Sequence, residues 1–142
     1  MFEYLEKKKV VLVYIPLIIY WCLLLMGTSL PAPDVPSFGV SDKFMHFGAY
    51  LGLAVLLSIS FHYQNKNLLL KKNFLIATLI IVAFYGLLDE FHQSFIPGRS
   101  SEFFDWLADF LGAAAGITFV YYLMKQFKYH PHSLTKIDHS AG

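Results

Sequence analysis

Two carboxylates, a histidine and a glutamine sit close together in Leu88–Arg99, LDEFHQSFIPGR, and an arginine closes the stretch after a Pro-Gly turn. Asp89, Glu90, His92 and Gln93 fall at near-consecutive positions of what reads as a helix. Tyr85, Asp89, His92 and Gln93 share one broad face, and Gly86, Glu90 and Gln93 share the adjacent one. Two further stretches carry chemistry of the same kind. Asp42, His46 and Tyr50 recur every four residues, and Asp105, Asp109, Gly112 and Gly116 follow at spacings of four, three and four. Carboxylates and imidazoles in such a pattern bind a divalent cation or act as general acid and base. Arg99 adds a planar fork that takes two oxygens of a carboxylate or a phosphate at once.

Each feature also has a plainer reading. Asp42 alone is an acid in a first helical turn after Ser41, an N-cap by residue type. Arg99 could spend itself on an internal ion pair with Glu90 or Asp105. The glycines serve close helix packing, as Ala108–Gly112–Gly116 and Gly48–Gly52 are small-xxx-small runs. No H-E-x-x-H, phosphate-binding glycine loop or nucleophile elbow is present, and neither Ser94 nor Ser100 has a dedicated base. No cofactor is required by the sequence, although a divalent cation would suit its polar residues.

The elements that must position these groups are greasy. Of 142 residues 56% are hydrophobic and only 15% charged. The mean hydropathy is +0.52. A soluble domain of this size has too little interior to hide that surface, whereas a bilayer removes the difficulty. The net charge of +1 gives no reason to expect nucleic acid. Four apolar segments, 10–30, 44–61, 74–88 and 106–124, have about the length a membrane helix needs, the third only if Asp89, Glu90 and His92 prolong it. The expected fold is therefore all-α: a polytopic membrane protein with a four-transmembrane-helix bundle. The first segment follows Lys7, Lys8 and Lys9 but is longer than a signal-peptide core and lacks an A-x-A site, so it reads as a retained helix. Pro16 falls in its first turns, where a missing N–H matters least. Cys22 reads as a small buried hydrophobe.

Lysines set the expected orientation. Nine of the eleven basic residues flank one side of the four segments, and only Lys43 and Arg99 flank the other. The positive-inside rule places both termini and the middle loop in the cytoplasm. The polar residues then gather at the extracytoplasmic face. The expected division is a cytoplasmic N-terminus (1–9), a membrane domain (10–128) and a flexible cytoplasmic tail (129–142). The loop 31–41, with Pro31, Pro33, Pro36 and Gly39, must be extended or turned.

Asp42-Lys43-x-x-His46 with Tyr50, Asp89-Glu90-x-x-Gln93-x-x-x-Pro97-Gly98-Arg99, and Asp105 with Gly112 and Gly116 together resemble the VanZ-like family. The resemblance covers residues 42–116. It implies a small multi-pass protein of a bacterial cell membrane with an envelope-related role, the family being named for a member linked to teicoplanin resistance. It singles out Glu90, Gln93 and Arg99. It also implies an Asn four residues after Asp105, where this chain has Asp109 and hence one more carboxylate.

Two functions of different class suit this constellation. In the first, an outer cleft holds an anionic envelope component, either a lipid-linked precursor or a glycopeptide-like ligand, with Arg99 on the anion. Gln93, Asp42, Tyr50, Asp89, His92 and Asp109 would complete the lining. In the second, a membrane-embedded hydrolase or transferase acts on a lipid phosphate or a peptide-like bond. Glu90 or Asp105 would then be base or metal ligand, and His46 or His92 acid or metal ligand. A proton-coupled transporter ranks third, since no acid is expected in the cytoplasmic half.

Overall fold

The structure, a computed structural model, describes residue 4 and residues 7–31 and 41–128. The expected turn through Pro33, Pro36 and Gly39 and the flexible tail from residue 129 lie outside the described residues. Among the described residues five helices follow one another: α1 (Val10–Thr28), α2 (Asp42–Tyr63), the short α3 (Leu68–Lys72), α4 (Phe74–Gln93) and α5 (Phe103–Lys128). No strand occurs among the described residues. All but α3 are long and apolar enough to cross a bilayer. The all-helical, four-span architecture read from the sequence is the one observed, with α2, α4 and α5 reaching further into the polar flanks than their apolar runs do and α1 ending two residues short of its run.

Those extensions have local causes. α4 carries on through Asp89, Glu90 and His92 to Gln93. It stops where the N–H groups of Ser94, Phe95 and Ile96 fold back onto the carbonyls of Glu90, His92 and Gln93. Gly98 then turns at φ 77°, a left-handed conformation that costs a side-chain-bearing residue about 1–2 kcal/mol. α2 starts at Asp42 with Ser41 before it, but the Ser41 hydroxyl makes no cap hydrogen bond. The Ser41 carbonyl accepts from Phe44 and Met45 instead. α1 opens with a π-helical stretch, Val10–Tyr14, that ends two residues before Pro16. A proline has no N–H for the carbonyl four residues back and crowds it with its ring, and a widened turn relieves both problems.

In lipid, burying a leucine gains little, because the solvent is as apolar as the interior; close backbone approach and hydrogen bonds hold helices together. The tightest pairing, α2 with α5, is built this way. Gly112 lies against the Phe47 carbonyl, and a Cβ at Gly116 would stand 2.6 Å from the Leu51 carbonyl oxygen. α4 joins them where Gly86 makes room for Asp109 and Trp106. There the Trp106 indole donates to the Ala83 carbonyl at 3.1 Å. Tyr50, Leu53, Ala54, Leu57, Val82 and Ala113 form the buried centre.

α1 stands at the edge of this trio. The Tyr20 hydroxyl donates to the Ala49 carbonyl at 2.9 Å, in the space that Gly52 leaves open. Gly48 does not share that task, since nothing lies within 4 Å of a Cβ built there. Cys22 is exposed rather than buried, beside Ile18, Ile19, Leu23 and Met26 on an apolar outer face. The Lys9 ammonium caps the far end of α2 by donating to the Tyr63 carbonyl at 3.1 Å. Lys66, Lys71 and Lys72 follow in the neighbouring connection, so the bundle has a basic end and, opposite it, an acidic one.

Candidate functional site

At the acidic end α1 and α4 finish and α2 and α5 begin. Four-residue spacing aims His46 and Tyr50 of α2 and Asp105 and Asp109 of α5 inward, against Asp89, Glu90 and Gln93 of α4, and all seven are buried. His46 Nδ1 lies 2.9 Å from Asp109 Oδ1 and 4.0 Å from Glu90 Oε1. The Tyr50 hydroxyl and the Gln93 amide each donate to Asp89 Oδ2 at 3.1 Å. Asp89 thus keeps two neutral donors, while Asp109 and Glu90 converge on one imidazole.

Glu90 has a second task. Its Oε2 accepts the backbone N–H of Glu102 at 2.9 Å, directly ahead of the first residue of α5. Capping-box glutamates satisfy the same N–H from within their own helix, and a carboxylate is favoured there by the helix dipole. Here the cap comes from a different helix. Outside this layer Lys43 bridges Glu102 Oε2 at 2.9 Å and Asp105 Oδ1 at 3.0 Å. The ammonium holds the exposed Glu102 carboxyl below its ordinary range.

Arg99 makes neither of the internal ion pairs considered from sequence. Its Nη2 donates to the Gly27 carbonyl at 2.9 Å, its Nε to the Leu30 carbonyl at 3.2 Å, and its Nη1 to Gln93 Oε1 at 3.2 Å. The first two acceptors lie in and just beyond the last turn of α1, where carbonyls are open to partners outside the helix. Arg99 therefore ties α1 to the α4 network through Gln93. A guanidinium has five N–H groups, and three are used here.

Between α1 and the rest lies a cavity of about 180 Å³. Leu23, Leu24, Met45 and Ala49 give it an apolar wall, and Asp42, His46, Tyr50, Asp89 and Arg99 a polar one. With this geometry in place, comparison with known proteins becomes informative. The VanZ/LLP1 family model matches residues 10–125. The chain belongs to the VanZ/LLP1 family. An uncharacterised protein of Schizosaccharomyces pombe is 30% identical over 131 residues, 92% of this chain and 70% of its own length. No solved structure matches the chain.

Most of the candidate residues read from the sequence meet in space. Asp42, His46, Tyr50, Asp89, Glu90, Gln93, Arg99, Asp105 and Asp109 all stand in the cluster or its cavity. Asp42 is exposed at the rim, with a carboxylate oxygen within 4.8 Å of ligating atoms of His46 and Asp105. His92 is not brought in. It is half-buried, it does not line the cavity, and its buried Nδ1 has no hydrogen-bond partner.

Sequence reasoning gave Lys43 a place in the Asp42-Lys43-x-x-His46 pattern but no role in the site. A cation at the second position of a helix opposes the dipole, and that mismatch was the available signal that an acid must be waiting for it. The α1 contribution to the cavity had no such signal, because Leu23, Leu24 and Gly27 look like any other residues of a membrane span.

Proposed function

We propose that this VanZ/LLP1 protein binds the phosphate-bearing head group of a membrane lipid in the cleft between α1 and α2, with the acidic end of the bundle facing the cell exterior. The observation that carries this reading is the two-sided cavity: an apolar wall from α1 and α2 meets a polar wall holding Arg99. A lipid has that division of chemistry, and the two unspent N–H groups of Arg99 suit a phosphate. Asp42 and Asp89 share the cavity, so an anion with no balancing charge meets repulsion there. Like charges about 4 Å apart repel by about 4 kcal/mol at an effective dielectric of 20. A phosphate carried with an amine, as in a zwitterionic phospholipid, is better matched, the amine lying towards Asp42. A relative in a yeast supports a ligand common to bacterial and fungal membranes. A lipid-linked wall precursor shares the phosphate chemistry, and altered handling of such a lipid is the route by which glycopeptide tolerance would arise.

The lining gives no support to acyl or phosphoryl transfer through a serine or cysteine nucleophile. No serine or cysteine lines the cavity, and the Thr28 hydroxyl is turned onto the Leu25 carbonyl. An enzyme at this site would have to act through a lining carboxylate, imidazole or phenol, or through an activated water.

Native mass spectrometry of the purified protein, titrated with phosphatidylethanolamine, phosphatidylglycerol and a polyprenyl phosphate, tests the reading. Retention of phosphatidylethanolamine at least tenfold above phosphatidylglycerol is expected, falling to parity in Asp42→Asn, which disturbs no hydrogen bond. Preference for the polyprenyl phosphate assigns the cleft to a lipid-linked precursor. Equal, weak retention of all three lipids overturns the proposal.

A further inference from the structure

Glu90 Oε1 and Asp109 Oδ2 are buried carboxylate oxygens that no described group hydrogen-bonds. Glu90 is 6% exposed and Asp109 0%. Charged groups at this depth are costly unless paired, and among the described residues the His46 imidazole is the basic side chain placed against both. One imidazole cannot balance two carboxylates, with Asp89 alongside as a third.

We infer that His46, Glu90 and Asp109 form a binding site for a divalent transition-metal cation, Zn²⁺ or Mn²⁺, beneath the lipid cleft. One nitrogen and two carboxylates come together so that their ligating atoms all lie within 4.8 Å of one another. Tetrahedral ligands about 2.1 Å from a common ion stand roughly 3.4 Å apart, and the His46 Nδ1 separations of 2.9 Å and 4.0 Å lie on either side of that distance. The donor set joins imidazole, which suits zinc, to carboxylates, which suit manganese. Two carboxylates and a neutral imidazole leave no net charge around a dication.

The surroundings are those of a built site. Glu90 Oε2 is fixed by the Glu102 N–H, which leaves Oε1 directed at His46. Outer contacts of this kind orient metal ligands. Gly86 provides the space beside Asp109 Oδ2, where a Cβ would come within 3.1 Å. With three protein ligands a coordination position remains open, the arrangement of catalytic rather than structural zinc sites. His46 also lines the cavity, so that position can be reached from the cleft.

The inference goes beyond lipid binding and is tested without lipid. Metal is stripped from the detergent-purified protein with chelator, and Zn²⁺ and Mn²⁺ are titrated calorimetrically, with circular dichroism confirming the helical fold of every variant. One equivalent of one of the two metals is expected to bind. Glu90→Gln and Asp109→Asn, which keep side-chain shape, should each weaken binding at least tenfold, and Co²⁺ substitution should give a visible d–d spectrum that His46→Gln abolishes. Asp42→Asn discriminates a neighbouring arrangement, since Asp42, His46 and Asp105 also lie within ligating reach of one another. Loss of binding in Asp42→Asn with retention in Glu90→Gln overturns the assignment, as does binding below a fifth of an equivalent in the folded wild type.

Discussion

Arg99 does by geometry what a charge alone would not. Its three hydrogen bonds run in different directions, two to carbonyls at the end of α1 and one to Gln93. Hydrogen bonds involving a charged group are worth about 1.5–3 kcal/mol each, so Arg99→Ala should destabilise the protein by about 2 kcal/mol or more. Arg99→Lys should recover less than half of that loss, because an ammonium lacks the fork. Unfolding in mixed micelles, followed by circular dichroism, measures both. Much of the cluster was legible at this scale. Four-residue spacing placed Asp42, His46 and Tyr50 on one face and Asp105 and Asp109 on another, and the structure brings both faces to Glu90. Which group each carboxylate would choose was not legible, because pairing depends on separations of 2.9 Å against 4.0 Å between different helices. The case of His92 is instructive: one residue from Gln93, it is turned about 100° away, enough to leave the cluster.

Among the helices, the α2–α5 pair depends on glycine where backbones meet and is indifferent to it elsewhere. Gly112→Ala forces a methyl into the Phe47 carbonyl and should cost about 1–3 kcal/mol, with loss of folded yield. Gly48→Ala meets open space and should leave the melting midpoint within the error of the wild type. Thermal scanning of both variants in one detergent checks the contrast. The small-xxx-small pattern was visible at both positions, but pattern alone does not say which glycine faces a partner. Helix ends were harder still. An apolar run ends where polarity begins, whereas α4 continues until its N–H groups fold back at Ser94–Ile96, and α2 gains Asp42 and Lys43 because their charges are answered by the bundle and the dipole.

Over the whole molecule the described lysines other than Lys43 stand at the end opposite the acidic cluster. The lysine-rich end should face the cytoplasm. In a Cys22→Ser background, Ser100→Cys should react with a membrane-impermeant maleimide in intact cells, while Asn65→Cys should react only after permeabilisation. The reverse pattern would invert the placement of the cleft. Composition and charge made this large-scale division legible, because a bilayer imposes it on any chain. The position of α1 was not legible, because it is fixed by contacts to main-chain atoms. Arg99 holds the carbonyl oxygens of Gly27 and Leu30, and every amino acid has a carbonyl. The side chains at those two positions are therefore free to drift without loosening the joint. A mutational scan of this protein should find the joint sensitive at Arg99 and tolerant at its partners, a one-sided record of a two-sided contact.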